Sequence, residues 1–166
     1  MNRTPGVVKP FRDPVTVPAA LPQIQPTICQ DPSMIEWDPS VLPSRPGAYA
    51  LEFRLEEAKQ LVVGRLGKVG IESGVLRYYG SARGPGGLRA RILRHLSPAG
   101  RRDRWHVDAL TRHVQVDRVW IDLVVHECDL VRNDLERGWR VAVPDFGSSD
   151  CRRCPSHLLE RTQRTV

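Results

Sequence analysis

The chain has only three tyrosines, Tyr49, Tyr78 and Tyr79. Tyr78 and Tyr79 run directly into Gly80, and the glycine-rich stretch Ser81-Ala82-Arg83-Gly84-Pro85-Gly86-Gly87 leads on to Arg89 and Arg91. Phenols, a glycine loop and guanidiniums in that order suit work on a phosphodiester. That reaction needs an activated oxygen nucleophile, compensation of charge on the equatorial oxygens and a stabilised leaving group. A tyrosine can serve as, or relay to, a general base if nearby cations lower its pKa from about 10. A forked guanidinium can hold the phosphate, and backbone N–H groups at a helix start near Leu88 can meet the same anion. Taken singly, each feature has a plainer role. Strand tyrosines are usually packing aromatics, and Arg91 can be an ordinary surface arginine. The ordered succession carries the weight.

The elements that would position these groups follow from the pattern after Pro46. Residues 48–55 alternate late in the run, as a half-buried strand does. Gln60 to Val63 reads as a second strand, stopped by Gly64, Gly67 and Gly70, and Val75 to Tyr79 as a third. Their closeness in sequence favours antiparallel pairing. Leu88, Ile92 and Leu96 repeat at helical spacing, which places Arg91 and Arg94 off the apolar face. Asp103 is a candidate cap for a helix carrying Trp105, Val107 and Leu110. Val119 to Val125 reads as a central strand, Glu127 to Arg137 as a helix ended by Gly138, and Trp139 to Val143 as a short edge strand. The stretch from Phe146 to Leu159 is turn-rich.

Ten of the 14 prolines fall at or before Pro46. Proline removes a backbone donor and fixes φ, so residues 1–44 are expected to form a disordered arm, with an extended PPII partner segment as the lesser alternative. Between Arg77 and Arg118 there are ten arginines, no lysine and three acids, which exceeds the net excess of +6 in the whole chain. Such a patch fits a polyanion, because neutralising phosphates releases condensed counterions. No apolar run is long enough to span a membrane. The first residues lack the apolar core of a secretory signal, so the cytoplasm is the expected compartment. Gly64-Arg65-Leu66-Gly67-Lys68-Val69 lacks the spacing of a P-loop and the hydroxyl after its lysine, which excludes nucleoside-triphosphate hydrolysis of that type.

Cys151 and Cys154 form a Cys-x-x-Cys pair, His157 follows three residues on, and Cys128 stands upstream. Together they make a plausible tetrahedral set for structural Zn²⁺. Buried reduced thiols are the alternative, and a further one puts Asp150 and His157 on the rim of an active site. Cys29 lies in the arm.

Gly47-Ala48-Tyr49 followed by Tyr78-Tyr79-Gly80 resembles the paired motifs of the GIY-YIG nucleases, and Leu88-Arg89-Ala90-Arg91 resembles that superfamily's Leu-x-x-Arg helix. The run from Tyr78 to Gly84, Arg94-His95-Leu96, Trp105-His106-Val107-Asp108 and the stretch from Phe146 to Cys151 resemble motifs of its Uri-type branch. The resemblance implies an α+β fold with a small antiparallel three-stranded sheet flanked by helices, spanning residues 45–160 ahead of a tail at 161–166. It implies Tyr49 as base, Tyr78 as positioning group and Arg91 as phosphate clamp. It also implies a glutamate on a later helix that holds Mg²⁺ or Mn²⁺. Glu127 opens the right kind of helix, and Asp134 and Glu136 are alternatives. Ser81, Arg83, Arg89, Arg94, His95 and His106 are the expected nucleic-acid contacts. Trp105 is expected in the core, or stacked on a base. The expected function is metal-dependent DNA endonuclease. The alternatives are an inactive nucleic-acid-binding module on the same fold and a zinc-stabilised protein-interaction domain.

Overall fold

The computed structural model describes residues 35–97 and 102–161. Two nine-residue strands, β2 (Gly47–Leu55) and β5 (Gly74–Ala82), pair antiparallel along their whole length, from Gly47 opposite Ala82 to Leu55 opposite Gly74. Because side chains alternate across a strand, Tyr49, Leu51, Phe53, Leu76 and Tyr78 share one face. Ala48, Ala50 and Tyr79 share the other.

The sheet has six strands, not the three expected. β6 (Val116–Asp122) pairs with the free side of β2, and β1 (Ile35–Glu36) pairs with β6. β8 (Leu158–Arg161) joins β5, and β7 (Arg140–Val141) closes that edge. The order is β1-β6-β2-β5-β8-β7, and the strands expected at 48–55, 75–79 and 119–125 stand side by side in it as β2, β5 and β6. The extra strands are short and pair with partners distant in sequence, which local periodicity does not reveal. β6 also ends earlier than expected, at Asp122, and leaves Leu123 and Val124 exposed beyond it.

The strand expected at 60–63 forms, as β3 (Lys59–Val63), but outside this sheet. It pairs with β4 (Gly67–Ile71) in a separate hairpin, because β2 and β5 already use each other's full length. Of the arm expected at 1–44, residues 1–34 lie outside the described part. Residues beyond it are tied to the fold: the Trp37 N–H donates to the Val119 carbonyl, and the Arg89 N–H to that of Pro43. β8 reaches Arg161, and residues 162–166 lie outside the described part.

Among the described residues three α-helices cover the sheet. α1 (Gly87–Leu96) buries Leu88 and Ile92 as its spacing requires. α2 (His106–Thr111) starts after Trp105. Asp103 does not cap it but pairs with Arg112 at 2.6 Å. The capping carboxylate is Asp108, which accepts from the backbone N–H groups of Arg104 and Trp105. α3 (Glu127–Glu136) lays Leu130 and Val131 on the opposite face, among Trp120, Trp139 and Leu159. Arg77 is buried there too. It donates to Glu52 and Asp134, each at 2.6 Å, and lies 4.5 Å from the centre of the Trp139 ring. The Tyr79 hydroxyl donates to the same Asp134 oxygen. A buried ion survives only when paired and hydrogen-bonded, and this network meets both conditions. Among the described residues no helix is long and apolar enough to cross a membrane.

Candidate functional site

A cleft of 540 Å³ opens where β2 and β5 meet the start of α3, and Tyr49, Tyr78, Arg91 and Glu127 all line it. The two tyrosines come from paired strands on one face, with ring centres 6.4 Å apart. Gly80 sits opposite Tyr49 in the pairing, and any Cβ there would overlap the Tyr49 ring. The glycine after the tyrosine pair is therefore a steric requirement of the site.

Both phenols are almost fully buried. Burial raises the Tyr49 pKa well above its ordinary value, with Tyr78 adding to the effect and Arg91 opposing it. Tyr78 is pushed up for the same first reason. The expectation that neighbouring cations lower these values is overturned: desolvation outweighs the nearby guanidinium. The Tyr49 hydroxyl is instead hydrogen-bonded, 3.0 Å from His95 Nε2. His95 is buried on α1, and its Nδ1 lies 2.9 Å from Asp108 Oδ1. Burial works against ionisation of Asp108, but hydrogen bonds from His95 and from the Arg104 and Trp105 backbone outweigh it and hold the carboxyl well below its usual range. With Asp108 ionised, Nδ1 carries the His95 proton and Nε2 is free to accept. A line of hydrogen bonds thus runs Tyr49, His95, Asp108. His95 was expected to touch nucleic acid, but it is sealed inside. Asp108 was not expected at the site, and its only sequence signal was its place in the Trp-His-x-Asp run.

Arg91, Arg94 and Arg104 gather around the Trp105 ring, with guanidinium carbons 4.0, 4.9 and 5.0 Å from its centre. Trp105 is therefore occupied by cations and is not an open platform for a base. Arg94 is held by Asp108 at 3.4 Å and by the Arg102 carbonyl. Neither Arg91 nor Arg104 has a carboxylate at ion-pair distance among the described residues, and both line the cleft. His106 also lines it. Its Nδ1 accepts from the Gly147 N–H at 3.0 Å, and burial lowers its pKa. Gly147 has a φ of 74° and packs so closely on the Tyr78 ring that a side chain would collide with it.

Glu127 supplies the carboxylate from the first turn of α3. Its Oε2 is buried and accepts no hydrogen bond. His126 Nδ1 lies 3.2 Å away and also accepts from the Cys128 N–H at 3.3 Å. Neither Asp134 nor Glu136 lines the cleft. Asp134 is consumed by Arg77 and Tyr79 on the far face, and Glu136 is exposed and does not line the cleft. Ser81 lines the cleft and also a neighbouring groove of 360 Å³, which Arg83 and Glu127 share. Arg89 stands apart, donating to the Ser40 carbonyl.

Cys128, Cys151, Cys154 and His157 come together, with ligand atoms all within 4.8 Å of one another, as a Cys₃His set able to hold a metal ion such as zinc. All three cysteines are free thiols. Burial lowers the His157 pKa and keeps the imidazole neutral. Asp150 and His157 both line the cleft, so the rim position and the cysteine cluster are neighbours.

No curated protein and no solved structure matches the chain. One family model does, over residues 48–166, which takes in both tyrosine strands, the arginine helix, the Trp-His-x-Asp run and the cysteine cluster. On that match the chain belongs to the family described as domain of unknown function DUF123.

Proposed function

We propose that this protein is a metal-dependent endonuclease of the GIY-YIG type, in its Uri-type branch, hydrolysing phosphodiester bonds of DNA. The carrying observation is that Tyr49, Tyr78, Arg91 and Glu127, from two strands and two helices, line one cleft. The guanidiniums of Arg91 and Arg104 on its wall, which meet no carboxylate at ion-pair distance among the described residues, support a polyanionic ligand, since like charges gathered around one ring are relieved by phosphate.

In this reading Arg91 grips the scissile phosphate with its fork. The Tyr49 oxygen takes a proton from the attacking water as its own proton passes to His95 Nε2. Asp108 holds the His95 tautomer that can accept and then stabilises the imidazolium. Coupled transfer avoids a free phenolate, which burial disfavours. Tyr78 orients the water or the phosphate from the adjoining strand. The Oε2 of Glu127 is buried, with no hydrogen bond and with His126 Nδ1 3.2 Å away, and a carboxylate oxygen so placed fits a hard cation, so Glu127 would hold Mg²⁺ or Mn²⁺. When bound, that ion supplies charge compensation at the phosphate and the leaving oxygen. Ser81 and Arg83 extend the path of the strand along the second groove.

The burial of both tyrosines favours one other reading, a nucleic-acid-binding module without cleavage, because a buried phenol is first a packing group. The test is incubation with supercoiled and branched DNA in Mg²⁺ or Mn²⁺. Wild type nicks the DNA. Tyr49→Phe loses on the order of 10²-fold or more in rate. Arg91→Ala does not cut but binds only modestly more weakly. Undiminished cleavage by Arg91→Ala eliminates the assignment, and salt-sensitive binding with no cleavage in any divalent metal selects the module.

A further inference from the structure

Two stretches more than twenty residues apart in sequence meet beside the cleft. Cys128 comes from the first turn of α3, Cys151 and Cys154 from the loop after Gly147, and His157 from the residue before β8. Cys128 Sγ lies 3.4 Å from Cys151 Sγ and 4.0 Å from His157 Nε2. On one tetrahedral zinc, with Zn–S bonds of about 2.3 Å and Zn–N bonds of about 2.0–2.1 Å, two sulfurs stand about 3.8 Å apart and a sulfur and a nitrogen about 3.5 Å apart. Each of the two separations lies within about 0.5 Å of its tetrahedral value. The Arg153 N–H donates to Cys151 Sγ at 3.3 Å, the kind of outer-shell bond that supports a ligating thiolate. Packing alone would bring apolar atoms together. It would not direct three sulfurs and an imidazole nitrogen to one point.

We propose that Cys128, Cys151, Cys154 and His157 bind one Zn²⁺, and that this ion braces the cleft wall carrying Glu127. Thiolates and imidazole are soft donors that select zinc over the Mg²⁺ or Mn²⁺ suited to the carboxylate. The ion ties α3 to segments 23 and 29 residues further along the chain. Glu127 directly precedes Cys128, so its backbone is fixed by the same anchor. The zinc site stands without the nuclease reading, whereas the bracing of Glu127 rests on it.

The full chain, purified under reducing conditions after growth with zinc, is expected to carry about one equivalent of the metal, with an X-ray absorption edge fitted by three sulfurs and one nitrogen. Cys154→Ser loses the ion and Cys29→Ser keeps it. Wild-type protein with less than about a tenth of an equivalent, or an edge showing only oxygen and nitrogen ligands, overturns the site. For the brace, zinc is displaced with a mercurial and Mn²⁺ binding is followed by its electron-spin signal, with Glu127→Gln as the reference. Mn²⁺ affinity is expected to fall about 10–100-fold. Unchanged Mn²⁺ affinity after zinc loss overturns the brace. Zinc-loaded protein that neither takes Mn²⁺ nor cuts DNA removes the nuclease reading and the brace with it, and leaves the zinc site in place.

Discussion

Asp108→Asn separates a proton relay from simple packing with almost no change of shape. Asp108 Oδ2 accepts from the backbone N–H groups of Arg104 at 2.8 Å and Trp105 at 3.1 Å, while Oδ1 faces His95 Nδ1 at 2.9 Å. Asparagine has one oxygen for these two duties. Set toward the two backbone donors, it presents its NH₂ to His95. Nδ1 must then become the acceptor and Nε2 the proton carrier, the wrong tautomer for receiving the Tyr49 proton. Loss of one charge-assisted bond costs about 1.5–3 kcal/mol of stability, which the fold can survive. Loss of general-base relay costs about 10²–10⁴ in rate. The assay pairs initial nicking rates on supercoiled DNA with urea denaturation. The rate is expected to fall far beyond what the stability change explains, with DNA affinity unaltered. A folded variant that cuts within about threefold of wild type refutes the relay, since that is less than the smallest effect such catalysis usually supplies.

The remaining predictions concern the frame around that relay. Gly80→Ala forces a methyl group into the Tyr49 ring and should cost about 1–3 kcal/mol by denaturation. An unshifted midpoint would contradict the contact. Arg77→Met leaves Glu52 and Asp134 buried without their shared cation and should cost about 3–5 kcal/mol, whereas a loss below about 1 would mean the network is better solvated than it looks. Stability should decline as pH falls, in two stages. The His106 imidazole is depressed by burial, so the unfolded chain takes up more protons below about pH 6.5 and folding weakens there. Asp108 is held below its usual range, so its contribution is full above about pH 4 and is lost as pH drops through its folded value. Urea midpoints that rise between neutral and mildly acidic pH would contradict the first sign, and midpoints that rise as pH drops below about 4 the second.

Local pattern revealed the centre of this fold. The late alternation in 48–55 and the glycine-bounded run 75–79 pointed to two strands whose tyrosines Tyr49 and Tyr78 share a face, and the i, i+4 repeat of Leu88 and Ile92 to α1 with Arg91 beside it. β8 was hidden, because Leu158 and Leu159 are the only apolar pair in a stretch of turn residues and their partners on β5 lie some eighty positions back. β4 was hidden by glycines at both its first and fourth positions. At the site, Glu127 could not be ranked over Asp134 from spacing alone. What decides between them is the sheet face each reaches, and Arg77 claims only one of the two. The Tyr49–His95–Asp108 line joins three elements and has no one-dimensional signature.

The run Arg77-Tyr78-Tyr79 has a consequence for how β5 finds its place. Alternation sends Tyr78 toward the cleft and its two neighbours toward Glu52, Asp134 and the tryptophans. Sliding the strand by a single position would drive a guanidinium into the apolar layer beside Phe53 and Leu51 and take from Glu52 and Asp134 the cation that both meet at 2.6 Å. Misaligned hairpins are thereby eliminated during folding by electrostatics, and the phenol reaches the cleft because its flanking residues tolerate no other alignment.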